Sequence, residues 1–206
     1  MRVWYGPFEV LEPRDPFALI VWENCAYLVD DARRARTYRA LEELAGINPA
    51  ALLAAGPAKI EAAIAGGGMR PGHRAAKVIR CAEVAVEFAD GDLRATLDAI
   101  SDTQRRTLLR RFPGIADPGA AKVLLFSGYS SEPALESNGL RVLERLGAIE
   151  GRPTYAATYR AGVAALRSCD AFEAFTLLRE HGRSLCKASR PRCPECPLRA
   201  ACAFVR

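Results

Sequence analysis

From about residue 16 to residue 182, apolar residues recur at three- and four-residue spacings, dominated by Ala and Leu, with Arg between them and Gly, Pro and Asp as interruptions. That spacing keeps one side of a 3.6-residue helix apolar. It predicts helices over 16–29, 32–45, 49–66 (interrupted at Gly56-Pro57), 71–89, 92–110 as one helix or two, 118–128, 136–147, 153–166 and 169–183. Gly66-Gly67-Gly68, Pro71-Gly72, Asp90-Gly91, Pro113-Gly114, Gly128 and Gly151 punctuate them. No stretch alternates with period two for long enough to build a sheet. Many short helices with short connections predict an all-α fold. No internal repeat or low-complexity tract interrupts the pattern.

The last twenty residues break it. From Leu185 the chain is a Pro-rich loop without core periodicity, so something other than apolar burial must hold it. Four of the seven cysteines lie there, Cys186, Cys193, Cys196 and Cys202, spaced C-x6-C-x2-C-x5-C. The start of the chain, Met1-Arg2-Val3-Trp4-Tyr5, lacks the apolar core of an export signal, and disulfides are rare in chains that stay inside the cell. Four thiolates can close a tetrahedral zinc site or bind the corners of an iron–sulfur cluster. Spacing alone leaves both open. Cys25, Cys81 and Cys169 fall in apolar helical patterns and read as buried thiols.

Composition narrows the class. With 206 residues, 50% hydrophobic and 26% charged, the chain suits one compact domain or two small lobes, and disorder is excluded. No apolar run reaches the ~18 residues of a membrane span. A net charge of +5 permits an acidic polymer as partner without requiring one. Only four of the 29 basic residues are Lys. Arg suits phosphates, although with so much Ala the bias reads first as genome composition.

A second segment reads as helix, tight Pro-Gly turn, helix: Leu109-Arg110-Arg111-Phe112-Pro113-Gly114-Ile115-Ala116-Asp117-Pro118-Gly119-Ala120-Ala121-Lys122. Asp117 is the expected N-cap and Pro118 the first helical residue. Backbone N–H groups at such a turn can bind a phosphate without reading bases, although from these residues alone a plain helical turn is the favoured reading. With Cys193-Pro194-Glu195-Cys196-Pro197-Leu198, the segment resembles the helix-hairpin-helix DNA glycosylase superfamily, of endonuclease III type. The resemblance runs from about Pro16 to Phe204. The family hairpin Leu-Pro-Gly-Val-Gly becomes Phe112-Pro113-Gly114-Ile115-Ala116, so the second glycine is Ala116.

The resemblance implies two helical lobes, a six-helix lobe over 24–134 with the hairpin at about 101–128, and a cluster lobe from 1–23 plus 135–206. It implies a [4Fe-4S] cluster on Cys186, Cys193, Cys196 and Cys202. It implies phosphate contacts from Pro113, Gly114, Ile115, Ala116, Gly119 and Lys122. Met69, after the glycine run, matches the wedge that fills the gap left by a flipped base. Leu28 stands where the family intercalates a glutamine and, on its apolar helix, reads as core.

For catalysis the family uses an aspartate followed by Arg-Val, and the matching stretch is Leu135-Glu136-Ser137-Asn138-Gly139-Leu140-Arg141-Val142. Glu136 takes the aspartate's place, where a carboxylate offsets positive charge growing on the sugar. Asn138 matches the adenine glycosylases. Glu23, a carboxyl group in a nearly all-apolar helix, matches the glutamate that in adenine glycosylases protonates the leaving purine. The lysine that gives bifunctional members strand cleavage is Pro118 here. The chain stops at Arg206, four residues past Cys202, without the further domain that adenine glycosylases usually carry, which gives no licence for an 8-oxoguanine:adenine specificity. The expectation is a monomeric, monofunctional DNA glycosylase acting on duplex DNA in the cytoplasm at the nucleoid. The alternative is a catalytically weak or inactive iron–sulfur DNA-binding protein on the same scaffold.

Overall fold

The structure is a computed structural model that describes residues 1–6 and 10–206. Among them all regular structure is helical: α1 (Arg2–Tyr5), α2 (Pro16–Cys25), α3 (Asp31–Ala45), α4 (Pro49–Ile64), α5 (Pro71–Ala89), α6 (Leu93–Ala99), α7 (Asp102–Leu109), α8 (Asp117–Phe126), α9 (Ser137–Leu146), α10 (Tyr155–Ala165) and α11 (Ala171–Ser184). Short 3-10 turns follow at Ala65–Gly67, Cys193–Glu195, Arg199–Ala201 and Ala203–Val205. None of these helices is long and apolar enough to cross a membrane. The chain divides into two compact units, Leu11–Tyr129 and Met1–Val10 with Ser130–Arg206.

In the unit Leu11–Tyr129, α2 is the central helix. Asp15 caps it by accepting from the Ala18 N–H at 2.9 Å, and every residue of it except Glu23 is buried. A helix apolar on all sides must be surrounded, and α3, α5, α6 and α8 pack against it. Each buried Leu, Ile, Val or Phe contributes about 1.5–3 kcal/mol. This packing draws α2 into the unit, so the boundary expected between residues 23 and 24 falls between 10 and 11. Of the segment 1–23, residues 7–9 lie outside the described residues.

Besides α1, which the periodicity does not predict, and shifts of one or two residues at other helix ends, three places settle or shift the expected boundaries. The helix expected over 16–29 stops at Cys25, because Asp30 caps α3 through the Arg33 N–H (2.7 Å) and Tyr27 forms a bridge to Gly68. The run 92–110 is two helices; Ser101 and Gln104 form a capping box that starts the second. Asp117 is the first residue of α8 rather than its cap, which is Ala116, so Pro118 stands second.

In the other unit, α9 packs on α10 and α11 around Leu135, Leu140, Val142, Leu143, Leu166 and Leu178. Gly182 allows α11 to approach α9: a Cβ there would come within 2.7 Å of the Asn138 carbonyl oxygen. α1 is tied to α11 by the Arg2–Glu173 ion pair and by Tyr5 Oη to His181 Nδ1 at 2.8 Å. Beyond Leu185 no residue is buried.

Candidate functional site

Glu136 is the N-cap residue of α9, with extended backbone (φ −122°, ψ 175°) and a part-buried side chain. Its Oε2 accepts from Asn138 Nδ2 at 3.0 Å. Asn138 Oδ1 in turn accepts from Arg141 Nη2 at 2.7 Å, which fixes the orientation of the amide. Arg141 also donates to the Gly182 carbonyl at 2.8 Å and, through Nε, to the Cys186 carbonyl at 2.9 Å. A continuous polar chain therefore runs from the first cysteine of the C-terminal loop to the Glu136 carboxylate. The sequence comparison picked out Glu136 and Asn138 but missed Arg141 as their anchor; its i+3 spacing from Asn138 on a helix was the available signal.

All four loop cysteines line one small pocket, part of it open to solvent, with His181, Leu185, Arg145 and Phe204. Arg145 Nη1 lies 3.5 Å from Cys186 Sγ and donates to the Lys187 carbonyl at 2.7 Å. His181 Nε2 is 3.5 Å from Cys196 Sγ, and Cys202 Sγ donates to the Arg145 carbonyl at 3.2 Å. Burial pushes the Cys196 thiol up, and the three neighbouring thiols add to the effect. Among the described residues no three His, Cys, Asp or Glu side chains converge to hold a single metal ion. Four sulfurs spread around one cavity, with a guanidinium beside them, fit a cluster that spaces its ligands and leaves net negative charge. Cys25 and Cys81 are buried as expected, each pushed up to about 12, chiefly by burial; Cys169 is exposed instead, lying on the turn after α10.

In the other unit, Glu23 lines a cavity of about 290 Å³ with Asn24, Tyr27, Met69, Arg70, His73 and Lys77 among its walls. Lys122 does not offer its ammonium to solvent. Nζ donates to Glu23 Oε1 at 2.7 Å and to Glu12 Oε1 at 3.4 Å, and lies 5.1 Å from the Phe126 ring centre. A lysine enclosed this way is unsuited to a phosphate, which corrects its assignment to the DNA-contact set; burying a charge requires a partner, and Glu12 and Glu23 supply it. The same contact bears on Glu23, one of whose two oxygens is thereby engaged as an acceptor.

The hairpin turn is built on Asn24, which the sequence comparison did not single out although it is a lone amide in an apolar helix. Its Nδ2 donates to the Pro113 carbonyl at 2.9 Å and to the Ile20 carbonyl at 2.9 Å. Gly114 has φ +76°, and a Cβ there would come within 2.8 Å of Asn24 Oδ1. Ile115 points into the core and its N–H donates to Phe112, while Gly114 and Ala116 are exposed. Asp117 and Gly119 carry first-turn N–H groups of α8, which lack intrahelical partners by geometry; Pro118 carries none. Asp117 also meets Arg110 at 3.3 Å.

Met69 is 62% exposed at its loop tip. Leu28 corrects the expectation of a core residue: it is 75% exposed with φ 54°, because α2 has already ended.

No family model matches the chain. It is 30% identical over 133 residues to endonuclease III of Sulfolobus acidocaldarius, covering 65% of this chain and 57% of that protein. It is 32% identical over 104 residues to a thymine-DNA glycosylase of Aeropyrum pernix, covering 47% and 46%. The chain thus spans about half the length of the curated relatives it matches. Its fold is that of an endonuclease III trapped in covalent complex with DNA, with a TM-score of 0.82 over 99% of this chain and 91% of the other at 19% identity. A thermostable thymine-DNA glycosylase follows with a TM-score of 0.77 over 95% and 86% at 15% identity.

Proposed function

We propose that this chain, which shares sequence and fold with the helix-hairpin-helix DNA glycosylase superfamily of endonuclease III type, is a monofunctional glycosylase of base-excision repair. Its substrate is duplex DNA carrying a damaged or mispaired base, met in the cytoplasm by a monomer. The observation that carries the reading is the Glu136 carboxylate, held by Asn138 and Arg141.

The enzyme extrudes the nucleotide, at a cost of a few kcal/mol. As the N-glycosidic bond breaks, its electron pair leaves with the base and positive charge grows on the sugar. The fixed carboxylate of Glu136 offsets that charge, and water completes the sugar. Glu23 is the proposed proton donor to the leaving base, with Lys122 held at its Oε1. The hairpin around Gly114, Ala116 and Gly119 offers backbone N–H groups to a phosphate, and Met69 enters the stack. Pro118 has no amine to attack the sugar, and the Lys122 amine is enclosed by carboxylates; both favour base release without strand cleavage. Cys186, Cys193, Cys196 and Cys202 would hold a [4Fe-4S] cluster, which supplies a cross-link for the loop in place of a hydrophobic core.

Single-turnover excision over a panel of duplexes with oxidised pyrimidines, G·T and G·U mispairs and 8-oxoguanine:adenine, developed with alkali, tests the reading. Release of one base, lowered at least about a hundredfold by Glu136→Gln, is expected. Tight binding with no release from any duplex would instead make the chain a DNA-binding module. Borohydride trapping on abasic DNA should yield no covalent adduct.

A further inference from the structure

Two loop tips in the unit Leu11–Tyr129 follow the C-terminal ends of helices, α2 at Cys25 and α4 at Ile64. Such ends leave carbonyls without intrahelical partners and carry the negative end of the helix dipole. Arg74, in the first turn of α5 and only 4% exposed, gathers both. Its Nη1 donates to the Cys25 and Ile64 carbonyls, the latter at 2.9 Å. Its Nη2 donates to Gly68 and its Nε to Met69, each at 2.9 Å. One planar guanidinium, whose donors lie in a fixed fork, thus joins two helix ends to the backbone of the second tip.

The tips also touch directly. The Tyr27 N–H donates to the Gly67 carbonyl at 2.9 Å, beside the Tyr27–Gly68 bridge. Only glycine permits this approach. A Cβ on Gly67 would lie 2.7 Å from Arg74 Nη1 and 2.8 Å from the Cys25 carbonyl, and one on Gly68, at φ +104°, would run into the Tyr27 carbonyl. Outward from this joint stand Tyr27, Leu28 and Met69, all exposed. Leu28 and Arg70 both hold φ 54°, a conformation disfavoured for side chains of their size and kept only where the surroundings impose it. Arg70, His73 and Lys77 border the tips along the neighbouring cavity. Apolar tips held rigidly and flanked by cations complement a base stack between phosphate strands.

We propose that Arg74 is a positioning residue that locks the tips 27–28 and 68–70 into one rigid wedge for the base stack of duplex DNA at the extruded nucleotide. The inference rests on the DNA reading above and adds to it that the two tips act as a unit. Arg74 touches no substrate; it acts through the backbone it holds.

The test uses the full chain and a duplex with a tetrahydrofuran abasic site and 2-aminopurine opposite it, read by fluorescence at saturating protein and by affinity. Wild type should raise the fluorescence as the base unstacks. Arg74→Lys, which keeps the charge but loses the fork, should bind within about threefold of wild type yet lose more than about half of the rise. The double variant Leu28→Ala/Met69→Ala should lose it likewise, and adding Arg74→Lys should change nothing more. Wild-type fluorescence in Arg74→Lys overturns the proposal, as does affinity and fluorescence falling in proportion. A wild type that binds without any rise overturns the wedge while leaving DNA binding intact, and a wild type that does not bind overturns the DNA reading with it. Should Arg74→Lys not fold, hydrogen exchange in wild type still decides: the Tyr27 amide, held by the Gly67 carbonyl, should exchange as slowly as the amides at the C-terminal end of α2, and fast exchange there refutes a rigid wedge.

Discussion

At the scale of single residues, the position of the carboxylate proposed to face the sugar depends on a guanidinium two hydrogen bonds away. Arg141 fixes Asn138, and Asn138 fixes Glu136. Displacing a reacting group by ~1 Å costs about a hundredfold in rate, so Arg141→Gln should lower single-turnover excision by about 10- to 100-fold while changing DNA affinity little. Parallel losses in rate and affinity would show general damage instead. Glu136 and Asn138 were legible because their neighbours Leu135 and Arg141-Val142 repeat a known local pattern. The spacing of Arg141 from Asn138 was legible too, but its anchorage was not, since the Gly182 and Cys186 carbonyls lie more than forty positions away. The thiols divide similarly. Cys25 and Cys81 are pushed up to about 12 by burial, so at pH 8 iodoacetamide should label Cys169 and spare both. Their folded-state values are raised, so the stability they lend is intact below the unfolded thiol's ordinary range and is lost as pH climbs from about 9 toward 12. Denaturant midpoints should fall across that window, by less in Cys25→Ala.

At the scale of elements, the order of helices from α2 to α11 was readable from periodicity, whereas α1 and the loops at 26–29 and 65–70 were not. Apolar spacing continues through Tyr27-Leu28-Val29, and nothing local reveals that Tyr27 will pair with Gly68. The hairpin shows the same limit: Pro113-Gly114 marks a turn, but its anchor is Asn24, ninety positions earlier. Gly114→Ala forces a side chain into left-handed backbone and against Asn24 Oδ1. It should cost roughly 1–3 kcal/mol by urea denaturation and weaken binding to undamaged duplex as well. Lys122 joins α8 to α2 through Glu23, and to Glu12 before α2. Replacing a buried ion-pair partner alone costs about 3–5 kcal/mol, so Lys122→Met should lie near that range. Glu12→Gln in the same background should recover part of it by removing one of the two facing negative charges. A double variant no more stable than Lys122→Met would show that Glu12 contributes nothing to the pair.

At the scale of the whole molecule, the two units rest on different means of support. Leu11–Tyr129 has α2 enclosed on every side, and its cohesion comes from apolar burial. The other unit has a smaller cluster of buried aliphatics on α9 and α11, and its last twenty-one residues contribute none. Fixing those residues in successive 3-10 turns costs roughly 1–2 kcal/mol each in backbone entropy, which a few turn hydrogen bonds do not offset. A cross-link through Cys186, Cys193, Cys196 and Cys202 would. Removal of the proposed cluster by ferricyanide and chelator should therefore leave the loop open to protease. Trypsin should cut first at Lys187, Arg192 or Arg199, all of which are exposed, while a fragment containing 11–129 persists. Loss of DNA binding should accompany those cuts only as far as the loop itself contributes contacts, because the hairpin and the Arg74-bound tips belong to the protected fragment. Equal protection of the loop before and after iron removal would show that the four cysteines fold it by themselves.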